Sequence, residues 1–207
     1  MLSDRESDRG TGKNACPTAM QREAKTYYER HLPHRQPPGK TLFITWRLAG
    51  SLPASFWDDC TEKSEGKRFV VFDRFLDSGC AGPMWLEHPS IAKLMRDALR
   101  YGESQRELYR LLAYAVMSNH VHLLIETVQP LEKITRLLKG YTARFANRIL
   151  GRTGQAFWQD ESFDHWVRNS AQLERIVHYI ENNPVTAGLV RNPEEWPWSS
   201  AALRVSK

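Results

Sequence analysis

Apolar and polar positions along the chain follow two different periods, which predict an ordered series of strands and helices. Residues 41–48, 109–117 and 120–126 are each dominated by apolar side chains, with aromatic or β-branched residues among them, and each predicts a strand. The two residues between the second and third segments are turn-prone, so these strands are expected to form an antiparallel hairpin. A fourth strand is predicted within residues 157–167.

Helical spacing of apolar residues predicts three helices. The first spans about residues 90–102, with Ser90 as its cap, and the second spans residues 131–150. The third spans residues 171–182 and is expected to end at Pro184, because proline disrupts a helix interior.

The order strand, helix, strand, strand, helix, strand, helix predicts an α+β fold. Its first six elements match a ferredoxin-like β-α-β-β-α-β antiparallel sheet with helices on one face, followed by a C-terminal helix. The less regular stretch around the apolar cluster 69–72 is assigned no element. Residues 1–39 are expected to form an N-terminal arm that either binds DNA or is flexible, and residues 40–203 a single domain.

Composition narrows the class of protein. Of 207 residues, 41% are hydrophobic and 26% are charged, which excludes collagen, a coiled coil and a largely disordered chain. The sequence contains no run of 18 apolar residues, so it predicts no membrane span, and the charged N-terminus lacks the apolar core of a secretory signal. Three widely spaced cysteines, Cys16, Cys60 and Cys80, suit a reducing compartment. We therefore expect a cytoplasmic protein with no membrane partner.

Positive charge is concentrated in one predicted helix. The whole chain has a net charge of +5, which by itself is a weak indication of nucleic-acid binding. Residues 131–152 contain one acid and six cations, so this segment alone has a surplus equal to that of the whole protein. A solvated helix face is the commoner role of such a pattern, and a phosphate-binding face is the alternative. The candidate DNA-binding residues are Lys133, Arg136, Lys139, Arg144 and Arg148.

His120 and His122 are the leading candidates for chemistry. Because they lie two residues apart in a predicted strand, their side chains share one face of the sheet. Two neutral imidazoles can bind one divalent metal and leave positions open for a substrate. A lone pair of this kind is more often a packing feature, so it does not establish a metal site without further residues.

The last predicted helix adds a phenol and an amide. Tyr179 and Asn183 lie one turn apart, so an amide oxygen could join a metal site beside the tyrosine hydroxyl. Taken alone, an asparagine before a proline also marks an ordinary helix end. Beside the apolar stripe, the polar face carries Gln172, Arg175, Tyr179 and Asn183.

Tyr141, in the basic helix, is the rival candidate nucleophile. It shares an apolar stripe with Leu138 and Phe145, so its ring is expected to face the core. Tyr179, on a polar face, is therefore preferred.

Several linked motifs resemble those of one family, the HUH single-tyrosine transposases. The closest likeness is to the branch of REP-associated tyrosine transposases, and it covers roughly residues 30–203 in the expected order. The motifs are Ala115–Leu124, Leu138–Ala143, Phe157–Trp166, Tyr179–Gly188 and Trp196–Ser200.

This resemblance implies metal-dependent cleavage and rejoining of single-stranded DNA beside a short hairpin. In such enzymes a tyrosine attacks a phosphodiester, leaving a 5′-phosphotyrosine and a free 3′-hydroxyl, and another 3′-hydroxyl reverses the step. By motif position, Tyr179 would be the nucleophile, and His120, His122 and Asn183 would bind Mg²⁺ or Mn²⁺. Related insertion-sequence enzymes have glutamine in the place of Asn183, and both side chains offer an amide oxygen.

Two other functions remain open from the sequence: a catalytically silent protein that binds DNA hairpins, and an unrelated metal hydrolase. The presence of all four implied active-site residues favours the transposase. The sequence does not distinguish a monomer from a homodimer.

Overall fold

The computed structural model describes residues 27–29, 33–35, 39–56 and 64–204. Within them, a four-stranded sheet lies at the centre, and a separate two-stranded sheet precedes it. The elements are β1 (Tyr27–Glu29), β2 (Pro33–Arg35), β3 (Thr41–Leu48), α1 (Glu65–Asp77), α2 (Pro89–Ser104), β4 (Tyr109–Val116), β5 (His120–Thr127), α3 (Leu131–Ile149), β6 (Trp158–Trp166) and α4 (Ser170–Thr186).

The strand order confirms the predicted ferredoxin-like fold. The central sheet has the order β4-β5-β3-β6, and all three neighbouring pairs are antiparallel. β4 and β5 form the expected hairpin, while α2 and α3 lie in the two crossovers, which join strands that are consecutive in the chain but are not neighbours in the sheet. The four strands that sequence analysis identified are therefore the four strands of this sheet.

The sheet separates two hydrophobic layers, because alternate residues of each strand point to opposite faces. Ile44 and Trp46 of β3 are completely buried in the layer formed with α2 and α3. Phe43, which alternates with them along the strand, packs on the other face against residues of α1 and α4. The predicted helices on one face are thus α2 and α3, and the second layer contains the candidate site.

Helix α1 is the main difference from the sequence prediction, which assigned no element to this stretch. Phe69, Phe72 and Leu76 recur at helical spacing and are buried in the second layer. The adjacent Val70 and Val71 are 44% and 38% exposed, so the apolar run that they form with their neighbours obscured the helical period.

Two helix boundaries also differ from the prediction. α2 begins at Pro89, and His88 caps it in place of Ser90: the Ser90 backbone N–H donates to His88 Nδ1. α4 continues past Pro184 to Thr186 instead of ending there. A proline close to the end of a helix removes only one backbone donor, so the final turn persists.

Most of the predicted N-terminal arm, residues 1–39, lies outside the described residues, and Cys16 and Cys60 lie outside them too. In the described part of the arm, β1 and β2 pair antiparallel, and β2 lies beside β6. In the part of the chain that the structure describes, no helix has both the length and the apolar character needed to cross a bilayer.

The C-terminal tail covers the edge of the sheet at β4. The Val116 N–H donates to the carbonyl oxygen of Trp198 at 2.9 Å, and the Ser200 N–H donates to that of Tyr114 at 2.9 Å. The Ser200 hydroxyl also donates to the Glu181 carboxylate of α4 at 2.8 Å. The tail therefore joins the edge strand to the helix that carries Tyr179.

A close backbone approach at Gly82 holds the loop after α1 against the turn after β3. Gly82 has a φ of +74°, and a Cβ there would overlap the carbonyl oxygen of Gly50. We expect Gly82→Ala to lower the free energy of unfolding by about 3 kcal/mol, because steric overlap adds to backbone strain. Urea unfolding measures this loss.

Gly154→Ala is the matched control for that prediction. Gly154 also has a positive φ, +86°, but nothing lies within 4 Å of the position that a Cβ would take. The strain alone should lower the free energy of unfolding by about 1 kcal/mol. Equal losses in the two variants would contradict the role assigned to the close approach.

Candidate metal and tyrosine site

β5 presents His120 and His122 on the sheet face that is covered by α1 and α4. Their side chains are 1% and 0% exposed, respectively. The two Nε2 atoms lie 3.0 Å apart, and the rings meet edge to face at a centroid distance of 4.6 Å. The two imidazoles thus converge on one point inside the second hydrophobic layer.

The opposite ring nitrogens of both histidines are held by neighbouring polar groups. Thr45 Oγ1 lies 2.8 Å from His122 Nδ1, and Asn119 Oδ1 lies 2.7 Å from His120 Nδ1. Asn119 Nδ2 donates to the Leu76 carbonyl oxygen at 3.0 Å, which orients the amide so that its oxygen faces His120. Because that oxygen only accepts, Nδ1 of His120 carries the proton and the Nε2 lone pair is available for a ligand.

Asp73 of α1 completes a buried cluster with the two imidazoles. Its Oδ1 lies 3.3 Å from His122 Nε2 and 3.7 Å from His120 Nε2. These three residues form a group that could hold a metal ion. Asp77, one turn later on α1, lies 3.7 Å from His120 Nε2 through its own Oδ1.

α4 brings Tyr179 and Asn183 to the same carboxylate. The Tyr179 hydroxyl and the Asn183 amide nitrogen both donate to Asp73 Oδ2, the latter at 3.2 Å. The Tyr179 ring packs 5.7 Å from the His122 ring and edge-on to Phe43. The tyrosine that sequence analysis preferred therefore lies against the histidine pair of its own chain.

Burial and local charge set the protonation of the cluster. Burial, and then the neighbouring His122, lower the pKa of His120 to about 3, so His120 is neutral at pH 7. Burial disfavours the charged form of Asp73, but His122, His120 and the Asn183 amide outweigh it and hold its pKa below the usual range. Burial, followed by the charge of Asp73, raises the pKa of Asp77 to about 7.

The donor set fits a small divalent cation. The ligand atoms of His120, His122 and Asp73 all lie within 4.8 Å of one another. Asp73 Oδ1 and Asn183 Oδ1 are buried without a hydrogen-bond partner, and a cation would satisfy such oxygens. Two imidazole nitrogens with carboxylate and amide oxygens suit Mn²⁺ or Mg²⁺.

Tyr141, the rival nucleophile, lies on the other side of the sheet and does not face the core as predicted. It is 50% exposed and lines a groove of about 910 Å³ between α2 and α3. Thr142 takes the buried position instead, since its hydroxyl accepts from Trp158 Nε1 at 2.9 Å and donates to the Leu138 carbonyl oxygen. Leu138 is buried as predicted, but beyond it the buried positions are Thr142 and Ala146, each one residue after the predicted Tyr141 and Phe145.

The predicted DNA-binding cations of α3 also lie behind the sheet, away from the histidines. Lys139 differs from the others, because it donates to the backbone carbonyl oxygens of Gln159 and Asp160 at 2.8 and 3.0 Å. Burial lowers the pKa of Lys139 to about 8. The remaining four are exposed: Lys133, Arg136, Arg144 and Arg148.

The other two residues of the predicted polar face of α4 do not reach the cluster. Gln172 contacts the His165 ring at 2.7 Å and accepts from the Arg168 backbone N–H at the start of the helix. Arg175 is exposed. Tyr179 and Asn183 are thus the two members of that face that meet the imidazoles.

Four residues of the site were not predicted from the sequence: Thr45, Asp73, Asp77 and Asn119. The spacing of Phe69, Phe72 and Leu76 was the available signal for Asp73, because it places Asp73 at the border of the apolar face of a helix. Thr45 had no local signal. Its contact with His122 follows from the register of β3 against β5.

Comparison with known proteins connects the chain to one group of transposases. Residues 89–183 match the model of a family described as "Transposase IS200 like". A protein of Haemophilus influenzae provisionally named as a REP-associated tyrosine transposase is 24% identical over 103 residues, which cover 44% of this chain. The chain spans 58% of the length of that relative.

A solved structure extends the comparison to the fold. The REP-associated tyrosine transposase bound to a REP hairpin superposes with a TM-score of 0.53 at 18% identity, over 87% of this chain and 85% of that one. The resemblance to REP-associated tyrosine transposases that the motifs indicated is confirmed.

Manganese binding tests the role of Asp73. We expect Mn²⁺ to raise the melting temperature of the wild-type protein, because a ligand that binds the folded state stabilises it. Asp73→Asn keeps the shape of the side chain but removes its charge, so calorimetry should show Mn²⁺ affinity lower by about tenfold or more.

Asp77→Asn is the control when both variants are measured at pH 8, where a carboxyl with a pKa of about 7 is mostly ionised, because it then removes a charge from the next turn of α1 while leaving the three residues of the Asp73 cluster in place. We expect it to retain most of the Mn²⁺ affinity. An equal loss in both variants would show that net charge alone decides binding.

Proposed function

From the similarity of residues 89–183 to IS200-like transposases, we propose that this protein cleaves single-stranded DNA and joins strands through a tyrosine-linked intermediate. One observation carries the proposal: the Tyr179 hydroxyl and the His120–His122 pair meet at the Asp73 carboxylate. A nucleophile beside a candidate metal site is the arrangement that this chemistry requires.

The proposed substrate is a single strand next to a hairpin. The structural relative is bound to a REP hairpin, and the present chain has the same fold. The four exposed cations of α3 offer contacts to phosphates, which are sequence-independent and set position more than specificity. We propose that they hold the DNA while the site acts on the strand.

The proposed metal ligands are His120, His122 and Asp73, with the Asn183 amide oxygen beside them. Mg²⁺ or Mn²⁺ bound there would act as a Lewis acid on the phosphoryl oxygens of the scissile phosphate. Thr45 and Asn119 orient the two imidazoles through their Nδ1 atoms, so that both Nε2 atoms face the same point.

Tyr179 is the proposed nucleophile. A phenol has a pKa of about 10 and is a weak nucleophile at neutral pH unless its proton is accepted. The Asp73 carboxylate accepts the hydrogen bond of the Tyr179 hydroxyl and orients its oxygen, and the phenol proton passes to water during the attack. As the tyrosine oxygen bonds to phosphorus, the bond to the 3′-oxygen breaks, and that oxygen takes a proton from water. Attack by a 3′-hydroxyl reverses the sequence.

One observation favours the alternative of a silent hairpin-binding protein. Both imidazoles are 1% exposed or less, so a phosphate reaches them only when α1 or α4 shifts. A protein that never makes this shift would bind DNA without cleaving it. Formation of a covalent adduct with DNA therefore separates the two functions.

Covalent capture of DNA tests the proposed chemistry. End-labelled single-stranded oligonucleotides tiled across the flanks of the gene, including predicted hairpins, are incubated with protein and Mn²⁺ or Mg²⁺ and run on a denaturing protein gel. We expect a labelled adduct with wild type, its loss with a chelator, and a loss of at least about a hundredfold in Tyr179→Phe, which has no nucleophilic oxygen.

Tyr141→Phe is the matched control, because Tyr141 lies behind the sheet and should not affect the adduct. An adduct lost only in Tyr141→Phe would overturn the assigned nucleophile. Binding of DNA with no adduct on any flank would favour the silent hairpin-binding protein.

A further inference from the structure

Arg47 lies beside the histidine pair on the candidate-site face of the sheet. In the pairing of β3 with β5, Thr45 is opposite His122 and Arg47 is opposite His120. Directly opposed residues of antiparallel strands project to the same face, with their Cβ atoms about 5 Å apart. Because Thr45 contacts the His122 ring on that face, Arg47 emerges from it as well, two residues along β3.

Arg47 is half-buried, yet few groups around it balance its positive charge. Its Nη1 donates to Ser51 Oγ at a long 3.4 Å. Among the described residues, no carboxylate lies within ion-pair distance of its guanidinium. Burial lowers the pKa of Arg47 to about 10, and the more distant charge of Glu161 offsets this only in part. A guanidinium has five N–H donors, so most of them are left for another acceptor.

The strand beside Arg47 is irregular, and a second cation lies close by. The register of β3 against β6 shifts between Trp46 and Leu48, which leaves residues 159–161 opposite Arg47 without regular pairing. Lys139 is bonded to carbonyl oxygens in this irregular segment, and the charge of Arg47 contributes to its lowered pKa. Two partly buried cations, Arg47 and Lys139, therefore lie close together at this end of β3 and make it positively charged.

We propose that Arg47 binds a backbone phosphate of the single strand next to the scissile bond. This inference rests on the proposed function and adds a residue outside its metal and nucleophile set. The planar guanidinium matches two oxygens of a phosphate, and partial burial strengthens such a charge-assisted contact. Arg47 fixes the position of the strand, while the histidine cluster and Tyr179 act on the neighbouring phosphate.

The test compares DNA binding by Arg47→Gln and Arg47→Lys with binding by Arg110→Gln, all in a Tyr179→Phe background that binds without cleaving. Arg110 is a matched control because it pairs with Glu126 on the surface, at the opposite end of β5 from His120. The probe is the fluorescein-labelled flank oligonucleotide that gives the adduct or, if none does, oligo(dT). Fluorescence anisotropy over a range of salt concentrations gives the affinity and its salt dependence.

We expect Arg47→Gln to weaken binding by about tenfold or more and to reduce the slope of log affinity against log salt by about 0.7, the value for one phosphate of a single strand. Arg47→Lys should keep the slope and lose part of the affinity, because an ammonium lacks the planar fork. Arg110→Gln should change neither quantity. Mn²⁺ affinity and melting temperature should match the parent protein in all variants.

An unchanged slope and DNA affinity in Arg47→Gln would overturn the proposal. The proposal would also be overturned if Arg47→Lys lost as much DNA affinity as Arg47→Gln and both variants lost Mn²⁺ binding. That second result would assign Arg47 a structural role. If wild type binds DNA but forms no adduct, the proposed function fails, whereas the oligo(dT) measurement still decides whether Arg47 contacts a phosphate.

Discussion

The buried carboxylate of Asp73 is the contact on which the arrangement of the site depends. A charge removed from water is tolerated only when polar groups surround it, and here those groups come from two other elements. His122 approaches from β5, and Tyr179 and Asn183 donate from α4. The hydrogen bonds to this one carboxylate therefore hold α1 against α4 and bring the Tyr179 phenol to the imidazoles. The same contact that stabilises the packing assembles the candidate chemistry.

The sheet and the ends of the helices keep this contact in place. Asn119, in the turn before β5, links His120 to the last turn of α1 through the Leu76 carbonyl oxygen. Glu181 links α4 to the tail that covers β4. Each helix over the site is thus anchored outside the cluster as well, whereas the imidazoles belong to a strand inside the sheet. Any opening for DNA has to come from the helices.

Local spacing predicted some parts of this arrangement and obscured others. The HxH pair and the one-turn separation of Tyr179 from Asn183 are short-range patterns, and both place side chains on one face whatever surrounds them. Helix α1 was hidden because exposed valines interrupt its apolar period. Tyr141 was expected in the core, but Thr142 occupies that place through a hydrogen bond from Trp158, a residue on a different element. A side-chain partner that is distant in sequence therefore decided which of these two residues of α3 is buried.

The sequence by itself determined the order of the four central strands and of α2, α3 and α4, the ferredoxin-like sheet and the resemblance to tyrosine transposases. These follow from periodicity and motifs, which are carried by residues close together in the chain. Only the tertiary structure decided that Asp73 joins the histidines, that Thr45 orients His122 and that Arg47 stands opposite His120. Strand register and helix packing set those distances. They arise from burying apolar faces that are far apart in sequence, so no local pattern contains them.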